Sequence, residues 1–329
     1  MSYLALLAGL ALLFGGGEAM LRGAVGVARR FGLSEVFVGI AIVGCATSAP
    51  ELFVTVDAAL AGQPDIAFGN VVGSNTANLL LILGVGAAIR SFVCHPGALR
   101  ADAAMLTLAA LTVGAIYFTA GVSRPMGALM ALALVAYLLL AFQRERAIGR
   151  ATRAAATSAP EPVETSADGT NGPTPPPPAV AALIGLVLAG LAALALGAEF
   201  LVYGAVQIAE AAGVSERVIS LSLVALGTSL PELATSIVAA TRGQSDVAIG
   251  NVFGSCVFNV FGILGVTALV APIAINPTEF AGDIAVMALA SALVLALALL
   301  NRGVSRPAGV LLAILYFAYM AMLYLGPTP

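Results

Sequence analysis

The sequence contains no lysine, one histidine and three cysteines, and charged residues make up only 9% of its 329 positions. Without lysine, the chain has neither a Schiff-base lysine nor a Walker-type phosphate loop. One histidine excludes a multi-histidine metal site and argues against a serine–histidine triad, and three cysteines are too few for a disulfide framework. The net charge of −3 and the absence of a basic block exclude nucleic acid as a partner.

Hydrophobic residues dominate instead, at 60% of the chain with a mean hydropathy of +1.03. Since soluble domains carry about a quarter charged residues, this composition is typical of a polytopic membrane protein. A helix needs about 20 mostly apolar residues to cross a bilayer. The sequence predicts an all-α protein with ten such helices: 3–21, 33–60, 66–89, 102–120, 123–142, 179–203, 214–240, 247–270, 280–300 and 307–326.

A polar segment at residues 143–178 separates the first five apolar runs from the last five. It holds four arginines, then a polar stretch and the run Pro175–Pro178. Little in it can bury apolar surface, so we predict a disordered linker between a first half at 1–142 and a second half at 179–329. With the N-terminus outside, twelve of the 14 arginines fall in inside loops. The positive-inside rule therefore predicts an outside N-terminus and a cytoplasmic linker in the cell (inner) membrane.

The two halves repeat each other at a constant offset of 181 residues. The segment Thr47–Leu52 matches Thr228–Leu233 at five of six positions, and Asp65–Ser74 matches Asp246–Ser255 at seven of ten. Because each half holds five predicted spans, an odd number, equivalent helices cross the membrane in opposite directions. Such inverted repeats are typical of secondary transporters, whose binding site lies near the membrane midplane where the repeats meet.

Proline interrupts one apolar run in each half, at Pro50 and Pro231. Because proline removes a backbone donor and clashes with the preceding turn, we predict that helices 2 and 7 are discontinuous, with free carbonyl oxygens at each break. Each break carries two hydroxyls and one carboxylate: Thr47, Ser48 and Glu51, then Thr228, Ser229 and Glu232. The next run of each half adds a serine and an asparagine on one helix face: Ser74 with Asn78, and Ser255 with Asn259.

These side chains are hard oxygen ligands, which Ca²⁺ prefers and which also suit Na⁺. Two glutamates neutralise one divalent ion, and Na⁺ or protons must replace its charge when it leaves, so the predicted site is suited to exchange. The alternative is structural, because serine and threonine in membrane helices often bond back to carbonyls. A carboxylate at this depth costs at least about 2.5 kcal/mol, and its presence in both copies of the motif favours a functional site.

The duplicated Thr-Ser-x-Pro-Glu-Leu and Gly-Asn-Val-x-Gly-Ser segments resemble the α-repeats of the calcium/cation antiporter superfamily, the sodium/calcium exchangers. The resemblance covers about 80 residues in each half. It implies ten transmembrane helices in two inverted-topology five-helix repeats. It also implies alternating access, in which the first and sixth helices slide across a core of the others.

The same resemblance implies that Glu51 and Glu232 are the principal Ca²⁺ ligands and that Na⁺ shares them. It implies further oxygen ligands at these positions: Thr47, Ser48, Thr228, Ser229, Asn78, Asn259, Ser74 and Ser255 (the two serines at outer Na⁺ sites), and the carbonyls of Gly44 and Ala225. Two positions depart from the family pattern, since Ala46 stands where many relatives have glycine and Asn259 where several have aspartate. The neutral Asn259 argues against K⁺ co-transport and leaves proton coupling open.

The sequence therefore predicts a Na⁺/Ca²⁺ antiporter that works as a monomer in the lipid bilayer, with Ca²⁺ and Na⁺ as transported ions and no cofactor. The alternative is a H⁺/Ca²⁺ or other cation antiporter that uses the same two glutamates. An enzyme is disfavoured because no lysine or histidine lies in the motifs to activate a serine, and the zinc motif His-Glu-x-x-His is absent. A passive channel is disfavoured because a charged central cage favours tight binding over rapid release.

Overall fold

The computed structural model describes residues 2–93, 96–158, 179–212, 225–300 and 303–325. Nearly all of this part is helical, and the helices are α1 Ser2–Phe31, α2 Glu35–Thr47, α3 Ala49–Leu60, α4 Pro64–Ile89, α5 Pro96–Thr119, α6 Arg124–Ser158, α7 Val180–Ala211, α8 Ala225–Gly227, α9 Leu230–Thr241, α10 Ser245–Val270, α11 Pro277–Leu300 and α12 Arg306–Leu325. Eight of these described helices are long and apolar enough to cross a membrane, and the bent pair α2 and α3 makes a ninth span. The start of the seventh predicted span, at 214–224, lies outside the described residues.

Helices α4 and α10 form the centre of the molecule. Their apolar windows are 78% and 83% buried, against 17–33% for the other long helices. The outer helices instead expose large apolar side chains such as Leu111 and Leu129, as a lipid-facing surface requires. Each central helix contains a stretch of wider π-type turns, at Ala77–Ile82 and Phe258–Leu264. Turns of this kind occur often at functional sites.

Helices α1 and α7 pack against each other in antiparallel orientation through glycine. Gly9 of α1 lies against Leu201 of α7, whereas Gly23 lies against Leu183, so the two chains run in opposite directions. A Cβ added to Gly16 would lie 2.8 Å from the Gly190 carbonyl oxygen. Only glycine permits this backbone approach, and small residues at such a spacing are typical of tightly packed membrane helices.

The break predicted beside Pro50 lies at Ser48, where the axes of α2 and α3 differ by 43°. Ser48 has φ −82° and ψ 9°, and Ser229 has nearly the same backbone at φ −91° and ψ 4°. Each break is followed by a proline in the first helical turn, where the missing N–H is not needed. The backbone conformation of the break serine is therefore nearly the same in the two halves, although Ser48 N–H bonds the Gly44 carbonyl oxygen and Ser229 N–H bonds the Leu226 carbonyl oxygen.

Two short antiparallel strand pairs join the halves. They are β1 (Phe92–Val93) with β4 (Gly303–Val304), and β2 (Gly121–Val122) with β3 (Ile273–Ala274). In each pair, one strand comes from the first half and its partner from the second. The halves are consequently hydrogen-bonded to each other at two loops, where β1 contacts the central helix α10 and β3 contacts the central helix α4.

Three helices extend beyond their predicted ends. Helix α1 continues to Phe31 rather than 21, and α7 continues to Ala211 rather than 203. Helix α6 continues to Ser158, so the prediction of disorder over 143–178 is wrong for 143–158, and residues 159–178 lie outside the described residues. The segment after 142 is rich in alanine and arginine, which are strong helix formers, so the helix outlasts the apolar run.

The extension of α6 is also fixed to the start of the broken helix. The Ser34 backbone N–H donates to Glu145 Oε2 at 2.8 Å, and the ring centroids of Phe37 and Phe142 lie 6.1 Å apart. Ser34 caps α2, because its hydroxyl oxygen accepts the Phe37 N–H at 3.1 Å. Residues beyond the apolar run thus help to hold the first turn of α2.

Candidate cation-binding site

Two glutamates and two serines form the centre of the candidate site. Glu51 and Glu232 lie in the first turns of α3 and α9, where a helix N-terminus favours negative charge, and each is 1% exposed. The Ser48 hydroxyl donates to Glu232 Oε1 at 2.8 Å, and the Ser229 hydroxyl donates to Glu51 Oε1 at 3.2 Å. Each serine therefore faces the carboxylate of the other half, and this crossed arrangement brings the two motifs together.

The two threonines of the motifs have different surroundings. The Thr47 hydroxyl is fully buried, 3.0 Å from the Val43 carbonyl oxygen and 3.3 Å from Asn251 Oδ1. Its contact with the Val43 carbonyl oxygen is a bond from a threonine hydroxyl back to its own helix, which a purely structural role predicts. Thr228 is half-buried and lines a cavity of about 250 Å³ together with Pro50 and Glu199. One threonine is thus part of the packed core, and the other borders open space.

The asparagines of the central helices lie within the π-type turns. Asn78 and Asn259 are 1% and 0% exposed, and Asn259 Nδ2 donates to Asn75 Oδ1 at 3.0 Å. Among the described residues, five buried oxygens of the predicted ligands have no hydrogen-bond partner: Glu51 Oε2, Glu232 Oε2, Asn78 Oδ1, Asn259 Oδ1 and Thr228 Oγ1. A buried unsatisfied acceptor costs about 1–3 kcal/mol, which a bound cation would offset. This donor set fits a hard cation as substrate.

The remaining predicted ligands lie around this centre. Ser255 is fully buried, and its hydroxyl donates to the Gly44 carbonyl oxygen at 3.2 Å, so two predicted ligands contact each other. Ser74 is buried in α4 at 5% exposure. Ala225 begins the short helix α8. In the part of the chain that the structure describes, no group of three or more acidic, histidine or cysteine side chains could hold a metal ion.

Sequence reasoning missed two asparagines that connect the broken helices to the core. Asn70 Nδ2 donates to the Glu51 carbonyl oxygen at 3.3 Å, and Asn251 Nδ2 donates to the Glu232 carbonyl oxygen at 3.4 Å. Asn251 also donates to the Ser236 hydroxyl at 3.0 Å. The two asparagines stand in the repeated Gly-Asn-Val segments, 181 residues apart. That identity was the available signal.

The repeat is not symmetric at the next turn of the central helices. Asn75 and Cys256 occupy equivalent positions and face each other, and Asn75 Nδ2 donates to the Cys256 carbonyl oxygen at 3.4 Å. Asn75 is also the acceptor for Asn259, whose equivalent is Asn78. One half therefore supplies an additional amide to the centre, and the other supplies a thiol.

Comparison with known proteins finds matches that cover both halves of the chain. The family model described as sodium/calcium exchanger protein matches residues 1–143 and 182–325. The chain belongs to this family. The inner membrane protein YrbG of Escherichia coli (strain K12) is 32% identical over 97% of this chain and 95% of its own length. The sodium/calcium exchanger MaX1 of Methanosarcina acetivorans is 29% identical over 98% of both chains.

A solved structure of the sodium-calcium exchanger NCX_Mj, soaked with zero Na⁺ and Ca²⁺, matches with a TM-score of 0.80. It is 28% identical, over 98% of each chain. The resemblance predicted from the duplicated motifs is thus confirmed. The chain is a multi-pass membrane protein of a cation-antiporter family, and this family consists of transporters.

Proposed function

We propose that this exchanger-family chain moves Ca²⁺ in one direction and Na⁺ in the other through a single site between Glu51 and Glu232. The crossed contacts of Ser48 and Ser229 are the observation that carries the proposal, because they leave one oxygen of each carboxylate free. The sequence relative MaX1 and the structural match NCX_Mj are both named for these two ions.

Charge balance explains why such a site would exchange Ca²⁺ for another cation rather than release it without replacement. Two carboxylates neutralise one Ca²⁺, and its departure leaves two buried charges. An uncompensated buried charge costs several kcal/mol. Na⁺ ions that bind the same oxygens restore neutrality, so occupancy by Ca²⁺ and by Na⁺ is mutually exclusive and the two fluxes are coupled. Each ion then crosses only when the protein changes its facing state.

The proposed ligand set has an inner and an outer part. The inner part consists of the side chains with free oxygens: Glu51, Glu232, Asn78, Asn259 and Thr228. The outer part consists of residues that contact these or flank them: Thr47, Ser48, Ser229, Ser74, Ser255, Gly44 and Ala225. The serine hydroxyls bonded to carboxylates would turn toward the ion as acceptors, since a hydroxyl oxygen retains free lone pairs.

The architecture that we propose is ten spans in two inverted five-helix repeats, with discontinuous helices 2 and 7. Three observations support it: α1 and α7 occupy equivalent positions and run antiparallel, Ser48 and Ser229 have nearly the same backbone conformation at the two breaks, and each strand pair takes one strand from each half. The proposed orientation places the N-terminus outside and residues 159–178 in the cytoplasm, following the arginine distribution. A monomer contains the complete site.

Proton coupling is the second candidate. The neutral amides at Asn78 and Asn259 leave only two carboxylates at the centre, and two protons balance one Ca²⁺ as well as two Na⁺ do. The same residues would serve in this case, with both glutamates protonated in the return state. The nature of the driving gradient separates the two candidates.

The test is radioactive Ca²⁺ uptake into proteoliposomes that are loaded with Na⁺ and diluted into Na⁺-free buffer. We expect uptake that requires internal Na⁺ and is lost in Glu51→Gln. The matched control is Glu279→Gln, which changes a glutamate at the exposed start of α11. Uptake driven by a pH gradient without Na⁺ would establish proton coupling at the same site. Absence of uptake under both gradients would refute Ca²⁺ antiport.

A further inference from the structure

A groove of about 670 Å³ lies where the end of α1 meets the start of α7. Its walls are apolar and come from both helices: Leu21, Val25, Leu183 and Leu186. Leu186 is 38% exposed, so the apolar wall continues into the outer surface of the molecule. Because helices α1 and α7 carry the long apolar windows of membrane spans, this outer surface faces lipid.

The rim of the groove is cationic. Four arginines line it, three on α1 and one at the end of α9: Arg22, Arg29, Arg30 and Arg242. Glu18 pairs with Arg22 and with Arg242. Arg29 and Arg30 form no ion pair within the described residues. Four guanidinium groups against one carboxylate leave excess positive charge beside an apolar wall.

A polar group of the lining also lacks a partner. The side-chain oxygen of Gln244 is buried, and no donor reaches it among the described residues. A ligand with a hydroxyl group beside its anionic group would supply that donor. Arginine binds phosphate through two parallel hydrogen bonds, which makes it the residue best suited to a phosphate ester.

We propose that this groove binds one anionic phospholipid with a hydroxyl-bearing headgroup, such as phosphatidylglycerol. The phosphate contacts Arg29, Arg30 and Arg242, and an acyl chain lies along Leu183 and Leu186. Basic pockets between membrane helices are suited to anionic headgroups. A free phosphate ester would use only the rim and would leave the apolar wall uncovered.

The chain itself supplies a competing anionic segment. Three acidic residues, here termed the linker acids, lie between α6 and α7: Glu161, Glu164 and Asp168. The linker acids offer carboxylates to the arginines but carry no long apolar group that could cover the wall. The groove combines cations with an apolar wall. The lipid matches both parts of the groove, and the linker acids match one. Lipid binding does not depend on the ion site, so either proposal can fail alone.

Native mass spectrometry of the full chain in detergent, titrated with phosphatidylglycerol or phosphatidylcholine, tests the proposal. We expect one phosphatidylglycerol retained in preference to phosphatidylcholine. Each basic residue near an anionic lipid contributes about fivefold to binding, so Arg29→Gln with Arg30→Gln should weaken retention at least tenfold. The matched control, Arg124→Gln with Arg306→Gln, removes the same charge from the starts of α6 and α12 and should retain the lipid. Leu186→Trp keeps every arginine, fills the apolar wall and should also weaken retention.

Several results would overturn the proposal. They are equal retention by the arginine variant and the wild-type chain, equal loss in the control variant, or equal retention of phosphatidylcholine. If glycerol phosphate displaces the lipid and Leu186→Trp does not change lipid retention, the groove binds only the phosphate group and the apolar wall takes no part. Lipid binding that appears only after neutralisation of the linker acids would assign the groove to that segment. Thermal unfolding of each variant identifies any that fail to fold.

Discussion

Glu18 and Glu199 occupy equivalent positions in the two halves but have different surroundings. Glu18 on α1 pairs with Arg22 and with Arg242, which lies at the end of α9. Glu199 on α7 lines the cavity that reaches Thr228, and no cation pairs with it among the described residues. The sequence explains this difference, because the position equivalent to Arg242 in the first half is an alanine.

At the centre of the molecule, in contrast, the equivalent serines and glutamates of the two halves have matching contacts. There the serine of each break faces the glutamate of the other half, and the contacts are the same in both directions. Duplication has thus kept the chemistry of the site while its two approaches have diverged. On the Glu18 side an ion pair joins α1 to α9, and on the Glu199 side a cavity borders the break.

The largest expected effect tests the symmetry of the centre. Glu51→Gln and Glu232→Gln should each reduce Ca²⁺ uptake by at least about 100-fold, because each removes half of the charge that balances the ion, and losing a partner of a buried charge costs about 3–5 kcal/mol. The measurement is initial uptake into Na⁺-loaded proteoliposomes. Unequal losses in the two variants would show that the halves do not contribute equally to the site.

The crossed serine contacts allow a sharper test. Ser48→Ala and Ser229→Ala should each weaken apparent Ca²⁺ affinity about 10- to 100-fold, because each removes a hydroxyl oxygen that would turn toward the ion, and a polar contact with a charged group contributes about 1.5–3 kcal/mol. The crossed bond itself belongs to the ion-free protein, so a double-mutant cycle based on unfolding without Ca²⁺ tests it: Ser48→Ala should couple to Glu232→Gln and should be additive with Glu51→Gln. The reverse pattern would contradict the crossed arrangement.

The glycine contact between α1 and α7 gives a test with a neighbouring control. A Cβ at Gly16 would lie 2.8 Å from a backbone oxygen of α7, whereas nothing lies within 4 Å of one at Gly15. Gly16→Ala should lower stability by about 1–3 kcal/mol through overpacking, and Gly15→Ala should be neutral or stabilising because alanine favours helix. Thermal unfolding in detergent measures both. Equal effects would mean that the helices can separate without cost.

The smallest effect concerns the two approaches themselves. Glu18→Gln removes the partly exposed ion pair with Arg242, the one that joins α1 to α9, and such a pair contributes about 0.2–1 kcal/mol, so access from the Glu18 side should rise by no more than about fivefold. Glu199→Gln breaks no ion pair and should leave that access unchanged. In a chain whose three native cysteines are replaced by alanine, labelling of a cysteine placed at Ala46 reports access when a membrane-impermeant thiol reagent is added on one side of the proteoliposome membrane at a time. If both variants change labelling equally, the Glu18 side and the Glu199 side do not differ in how they restrict access.

Local physical rules account for what the sequence predicted well. The length of the apolar runs locates most spans, and proline locates the break at Ser48 within two residues. The duplicated motifs identify the family and bring together the glutamates, serines and asparagines that meet at the centre. These features can be predicted from the sequence because the length of an apolar run and the chemistry of proline act over one or two helical turns.

Other features depend on packing and were not predictable in this way. Nothing in the motif indicates that Ser48 contacts the carboxylate of the other half rather than that of its own. The contacts of Asn70 and Asn251 also depend on which helix lies beside each break. The ends of α1 and α6 were placed too early, because apolarity marks where a helix leaves the membrane and not where it stops being helical. The pairing of Glu18 with Arg242 joins residues 224 positions apart.

The crossed serine contacts also bear on how a site of this kind can arise. Among the described residues, no serine contacts the glutamate of its own half, so an isolated half would hold an incomplete set of groups. Because α1 and α7 run antiparallel, two copies of one half could build the same centre only if they were inserted upside down relative to each other. A single chain that carries both orientations removes that requirement, and it lets the two ends of the pathway accumulate different residues.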